Sequence, residues 1–228
     1  WRISYDGLSR LPFFKKHFRR FNIEHAYRST YNVSSFTSDL EYTEDPNEFP
    51  TAIRGDRNDF ISKNTIGQVS ISEQFSPLIK IDATLNNSLL IRAEFKKDRN
   101  ISLSLNNEQI TEVKGNELVF GLGYRIKDLK IKMNIGGKRQ KFKSDLNLKA
   151  DLSIRDNVTV IRRISDNSHI PSGGAKVFTL KTSADYVLNQ RFNLRFFFDR
   201  VINTPRVSAA FPTANTNFGI SVRFTLTE

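Results

Sequence analysis

Apolar and polar positions alternate along most of the chain. Leu118, Phe120, Leu122, Tyr124 and Ile126 alternate with Val119, Gly121, Gly123 and Arg125. Leu129, Ile131, Met133 and Ile135 alternate with Lys130, Lys132 and Asn134. Leu146, Leu148, Ala150, Leu152 and Ile154 form a third row, and Phe178, Leu180, Ala184 and Tyr186 a fourth. Phe192, Leu194, Phe196 and Phe198 follow, and then Phe218, Ile220, Val222, Phe224 and Leu226. Successive strand side chains point to opposite faces, so each row gives a strand with one apolar and one polar face. Parallel strands covered on both sides would read as unbroken apolar runs. The pattern therefore predicts an all-β, antiparallel up-and-down sheet.

Between the rows, turn-type residues predict tight connections at Lys127-Asp128, Asp156-Asn157 and Asn189-Gln190. Longer connections are predicted through Gly136-Gly137-Lys138, from Asn167 to Gly174, and from Asn203 to Asn215. The longest runs from Glu44 to Asn64 and carries Pro46, Pro50 and Gly55, most simply as turn formers. One apolar phase holds from Val69 to Leu85 and resumes after Asn86-Asn87 as Leu89, Ile91, Ala93, Phe95, Ile101, Leu103 and Leu105. These are strands of about 17 residues, against a mode of about 5–6 in globular proteins. Pro77 inside the first predicts a bulge or bend, and Lys96 to Asn100 reads equally as strand or turn. Near the N-terminus, Leu11, Phe14, Phe18 and Phe21 share one helical face among Lys15, Lys16, Arg19 and Arg20. That spacing predicts a basic amphipathic helix over 8–21, with Pro12 in its first turn. His25, Tyr27, Tyr31 and Val33 open a further alternating segment, and 21–43 reads as one strand or two.

Composition narrows the chemistry. Apolar residues make up only 38%, but 19 Phe in 228 residues argue against a disordered chain. With no Cys, disulfide scaffolds, thiolate metal sites and cysteine catalysis are excluded. His17, His25 and His169 share no metal-ligand spacing, and no GxSxG elbow supports a hydrolase, so no metal, cofactor or enzymatic activity is expected. Gly121 and Gly123 lie within a strand and not before a helix. They read as close approach of another backbone to the polar face, not as a dinucleotide loop. The net charge of +11 raises nucleic-acid binding. A single-strand binder places its aromatics among its cations, whereas here the cations share the face opposite the aromatics, mixed with Glu94, Asp151, Asp185 and Asp199. No nucleic-acid partner is expected. A start at Trp1, with neither Met nor signal peptide, reads as part of a longer polypeptide.

Two environments suit an apolar row: the interior of a soluble sandwich or barrel, and lipid around an outer-membrane barrel. A membrane strand needs about 9–11 tilted residues, which a row of five alternating apolar residues spans. Tyr124, Tyr186, Phe192, Phe198 and Phe224 near row ends suit aromatic girdles. The membrane barrel is the favoured reading, with a soluble all-β binding module, apolar face inward, as the alternative. Under the membrane reading Leu118, Phe120, Leu122, Ile131, Met133, Leu148, Leu152, Phe196, Ile220 and Val222 face lipid. Arg125, Lys130, Lys132, Lys149, Lys181, Arg195 and Arg223 then face a water-filled lumen.

Several phrases of the sequence carry a resemblance. They are Trp1-Arg-Ile-Ser-Tyr-Asp-Gly-Leu, Phe13-Phe-Lys-Lys, His25-Ala-Tyr-Arg-Ser-Thr-Tyr-Asn-Val and Val69-Ser-Ile-Ser-Glu-Gln-Phe-Ser-Pro-Leu-Ile. Gly121-Leu-Gly-Tyr-Arg, Ser153-Ile-Arg-Asp-Asn and Asn215-Thr-Asn-Phe-Gly-Ile-Ser-Val-Arg-Phe-Thr-Leu complete the set. Together they resemble the C-terminal region of the SprA/Sov family of gliding-motility proteins, from one end of the chain to the other. The resemblance implies the outer-membrane translocon of the type IX secretion system in a Gram-negative bacterium, a very large single-chain barrel. It also implies folded secreted cargo as the transported partner, and plug and shuttle proteins bound in turn at a lateral opening. Residues 1–228 would be one segment of that barrel wall, with too few strands for the whole pore. The final strand resembles the aromatic-rich closing strand of outer-membrane proteins, although Glu228 ends it.

Overall fold

A computed structural model describes the chain except residues 55–58, 136–137, 190–191, 208–209 and 225–228, and except the side chains of 132–135, 138–142 and 188–189. The strands are β1 (Arg2–Tyr5), β2 (Phe18–Ser38), β3 (Ile53–Arg54), β4 (Asp59–Phe60), β5 (Asn64–Leu85) and β6 (Leu89–Ser104). They continue as β7 (Gln109–Ile135), β8 (Lys138–Arg163), β9 (Ser168–Asn189), β10 (Phe192–Pro205) and β11 (Thr213–Phe224). A 3-10 turn (Gly7–Arg10) and a short helix α1 (Pro12–His17) connect β1 to β2. Nine strands form one antiparallel sheet in the order β1-β2-β5-β6-β7-β8-β9-β10-β11, each paired with its neighbour, and β3-β4 form a separate small hairpin in the β2–β5 loop. No pairing joins β1 to β11 among the described residues, so the sheet is open at both edges.

The strands outrun the predicted lengths because two expected turns lie inside them. At Lys127-Asp128 the register passes from Ile126↔Leu146 to Leu129↔Ser144, a bulge that sets two residues against Asp145. The Asp128 N–H donates to Asp145 Oδ1 at 3.0 Å, and the Arg125 Nε–H donates to Oδ2 at 2.8 Å. The extra residue also changes the parity, so Leu129 and Ile131 stay on the face of Ile126. Asp156-Asn157 is plain strand, paired to Asn116 and Gly115 on one side and to Lys176 and Ala175 on the other. Backbone partners on both sides outweigh the local turn preference of an Asp-Asn pair.

The remaining connections shift similarly. Ser168 to Gly174 is strand rather than loop, with Gly174 at φ 138°; a Cβ there would lie 2.4 Å from the Asn157 carbonyl. Asn203 to Asn215 shortens to a loop over 206–212, and Lys96 to Asn100 is strand. Gln190 and the Gly136-Gly137 pair lie outside the described residues, at the positions where β9–β10 and β7–β8 connect. Pro77 sits in a bulge, as expected, where the register jumps from Phe75 to Ile79. The helix expected over 8–21 ends at His17. From Phe18 the backbone pairs with β5, Phe18 against Leu85 and Phe21 against Ala83, so the ladder claims the last two of the four apolar positions. Segment 21–43 resolves as a single strand to Ser38.

Connections differ between the two ends of the sheet. At one end lie 86–88, the positions outside the described residues between β7 and β8 and between β9 and β10, and the longer segment 6–17 that holds the 3-10 turn and α1. At the other lie 39–63, 105–108, 164–167 and 206–212. The backbone N–H of Asn86 donates to the His17 carbonyl at 3.2 Å and its Nδ2 donates to the Lys16 carbonyl at 2.8 Å, which fixes α1 at the short-turn end.

Candidate functional site: the two faces of the sheet

Paired residues of an antiparallel ladder share a face, so the registers assign every strand position to one side. Leu118, Phe120, Leu122, Leu148, Leu152, Phe196, Ile220, Val222 and, through the bulge, Ile131 all fall on one face. Arg125, Lys130, Lys149, Lys181, Arg195 and Arg223 all fall on the other. The backbone of Lys132 and Met133 continues these two series, but their side chains lie outside the described residues.

Nothing covers the apolar face. Ile61, Ala83 and Tyr186 are the buried hydrophobic residues among those described, and no large side chain is fully enclosed. Leu118 is 50% exposed and Phe218 75%. A soluble chain of this length encloses a substantial core; this one spreads its apolar side chains over a single layer.

The central apolar positions form a band. Towards the long-loop end its continuous run stops at Tyr27 on β2, Phe75 on β5, Phe95 on β6, Leu118 on β7, Ile154 on β8, Phe178 on β9, Phe198 on β10 and Phe218 on β11. Six of these eight are aromatic. Next on the same face stand Glu73, Lys97, Asn116, Asp156, Lys176, Arg200 and Thr216, and apolar residues return further out as Ile71, Ile101, Leu103, Val158, Val160 and Ile202. Towards the short turns the band reaches Phe18, Leu85 and Tyr186, whose hydroxyl donates to the Leu129 carbonyl at 2.9 Å, and on β7 it continues past Tyr124 to Ile126, Leu129 and Ile131.

This limit crosses the strands obliquely. Followed through the registers, Tyr27 and Phe75 lie level with Asn116, whereas Phe198 and Phe218 lie level with Leu122. That is six residues, about 20 Å, over seven interstrand steps of about 34 Å in all, an inclination of about 30°. Along β8 the band from Leu146 to Ile154 covers about 26 Å of strand, or about 23 Å in height at that inclination.

The polar face is laced with ion pairs. Arg2, Glu24, Lys80, Asp82 and Arg92 form a ladder across β1, β2, β5 and β6, with successive contacts of 3.1, 3.3, 2.8 and 2.9 Å. Lys96 lies 3.8 Å from Glu94 and 3.7 Å from Glu117, and Arg195 lies 3.6 Å from Asp185. Each exposed pair contributes only about 0–1 kcal/mol, but alternating signs keep the face from presenting one strong field. Gly121 does admit a close approach, though by side chains rather than backbone: a Cβ there would lie 2.8 Å from Asp151 Oδ1 and 3.5 Å from the Arg92 Cβ.

One feature escaped the sequence pattern. Glu112 occupies an apolar-phase position beyond the band and is 3% exposed. It meets Arg99 at 2.7 Å, Lys114 at 3.1 Å and Arg162 at 3.2 Å. A carboxylate so enclosed requires such partners, and with Lys114 and Asn116 next to it on the same face the sequence offers no regular apolar row for it to interrupt.

Among the described residues no group of His, Asp and Glu is arranged to hold a metal ion, and no helix is long and apolar enough to cross a membrane. Comparison with protein-family models gives no match, and a search of curated proteins gives none.

Proposed function

We propose that this chain is a section of the wall of an outer-membrane β-barrel that conducts proteins, its apolar band against lipid and its ion-paired face lining an aqueous passage. The observation that carries the reading is the uncovered, aromatic-bordered band. Its height along β8, about 23 Å, and its inclination of about 30° approach the band of about 25 Å and strand tilt of about 35–45° of outer-membrane barrels. Apart from the 6–17 segment, shorter connections at one end and longer loops at the other also suit that class. On this reading the short turns face the periplasm and the chain resides in the outer membrane of a Gram-negative bacterium.

A protein-conducting role rests on the resemblance to the SprA/Sov family and is supported by the character of the polar face. A passage for varied cargo profits from mixed charge, because a single strong sign holds oppositely charged proteins. Secreted cargo and the plug and shuttle proteins are the partners this reading names; catalysis, cofactors and nucleic acid play no part in it. The open edges of β1 and β11 are then joined to further strands of the same wall. A soluble module with its apolar face inward would need a second layer over that face.

Residues 1–228 contain no Cys, and any in the rest of the barrel are first replaced. Single cysteines at 148, 149 and 150, placed in the complete barrel in membranes, are exposed to a membrane-impermeant thiol reagent. Position 149 labels, and cargo trapped in the passage lowers that labelling; 148 and 150 stay unlabelled. Labelling at 149 that trapped cargo leaves unchanged removes the conducting role. Labelling at 148 and 150 removes the membrane reading as well.

A further inference from the structure

Residues 7–23 contain five cations, Arg10, Lys15, Lys16, Arg19 and Arg20, and no acidic residue. All five are exposed and, among the described residues, none makes an ion pair, in contrast to the cross-strand ladder nearby. The same segment exposes apolar surface. Leu11 is exposed, and Phe13 is 67% exposed with its ring 5.7 Å from that of Phe14. Phe14 packs in turn 4.9 Å from Phe21, which belongs to the apolar band through its pairing with Ala83. Apolar surface thus runs unbroken from the band through Phe21 and Phe14 to Phe13, at the level where the band ends.

We propose that α1 and its flanks form an interfacial anchor that seats on anionic phospholipid at the short-turn rim of the band. This rests on the membrane reading of the band. Leu11 and Phe13 enter the boundary between headgroups and acyl chains, while the unpaired cations ahead of the ladder, Arg10, Lys15 and Lys16, meet lipid phosphates; Arg20, opposite Thr84, lies on the polar face. Charge complementarity selects this occupant. An uncharged lipid would leave Arg10, Lys15 and Lys16 without partners, and an acidic soluble protein would leave the surface of Phe13 discontinuous with its own.

The test places single cysteines at 13 for the anchor, 148 for the band and 149 for the polar face of the complete barrel, with any cysteine outside residues 1–228 replaced, and labels each with an environment-sensitive fluorophore. Each labelled barrel is reconstituted in phosphatidylcholine vesicles with and without phosphatidylglycerol, with lipids brominated near the headgroup or near the chain end. The proposal expects the fluorophore at 13 to shift to the blue and to be quenched more by the shallow bromines, chiefly when phosphatidylglycerol is present. High salt reverses the effect, and so does Lys15→Gln with Lys16→Gln; the charge-matched Lys149→Gln with Lys181→Gln does not. Quenching at 148 with none at 13 overturns the anchor and leaves the membrane reading standing. Quenching at 13 that is indifferent to phosphatidylglycerol and to the lysines overturns the anionic selection. No quenching at 148 overturns the membrane reading itself.

Discussion

Leu122 stands midway along the β7 row from Leu118 to Ile126, with Ile91 and Ala150 beside it on the apolar face. It is 38% exposed with nothing packed over it, so a substituted side chain meets the surrounding medium and not a core. Leu122→Arg then places a guanidinium near the middle of the hydrocarbon. For lipid-facing barrel positions at that depth the loss is about 2–4 kcal/mol, falling to about 0–1 near the interfaces. The row gives its own internal control. Leu118 is the last apolar residue of β7 before Asn116, so Leu118→Arg falls in the low range. Lys149→Gln on the opposite face stays within about 0.5 kcal/mol. Urea unfolding of the three variants in vesicles measures the differences. A gradient with depth on one face and indifference on the other is expected. Equal costs for Leu122→Arg and Leu118→Arg, or a comparable cost at Lys149, would refute the reasoning.

Three further outcomes follow from the geometry. In detergent-free buffer the chain aggregates, because its apolar face and both sheet edges are open; a monodisperse, cooperatively melting monomer by light scattering and calorimetry would favour a soluble fold. Gly174→Ala destabilises by more than about 1 kcal/mol in the same urea assay, since a Cβ at φ 138° meets the Asn157 carbonyl; neutral substitution would place Gly174 differently. In the 39–63 loop, Lys63 and the Tyr42 hydroxyl donate to Glu44 and hold its carboxyl below the usual 4.5. The stability this contact gives the loop is therefore present above pH 4.5 and is lost as pH falls through the lower folded value. A carbon-13 NMR titration of Glu44 with a midpoint at or above 4.5 would contradict it.

Which face each residue occupies was legible because period two survives in a single layer, where every side chain has only one of two directions. The membership of both sets of candidate residues follows from it. The ends of the strands were less legible. Lys127-Asp128 and Asp156-Asn157 have turn chemistry, but one is a bulge that restores the apolar phase and the other marks where β8 leaves the band for polar surroundings. Helical and strand periods also coincide briefly at Phe14, Phe18 and Phe21, and only the ladder to β5 decides between them. The inclination of the band was out of reach, since it exists only between strands and needs the register of each pair. Glu112 was hidden for the same reason: its cations come from β6 and β8 as well as from β7.

The central claim is that the face carrying Lys149 and Lys181 meets cargo while the face carrying Leu148 and Leu180 meets lipid. Photo-crosslinking amino acids at 148, 149, 180 and 181, in membranes caught during export, test it most directly. The account predicts cargo adducts at 149 and 181, and lipid adducts without cargo at 148 and 180. Cargo adducts at 148 and 180, or none at any of the four during active export, would contradict it.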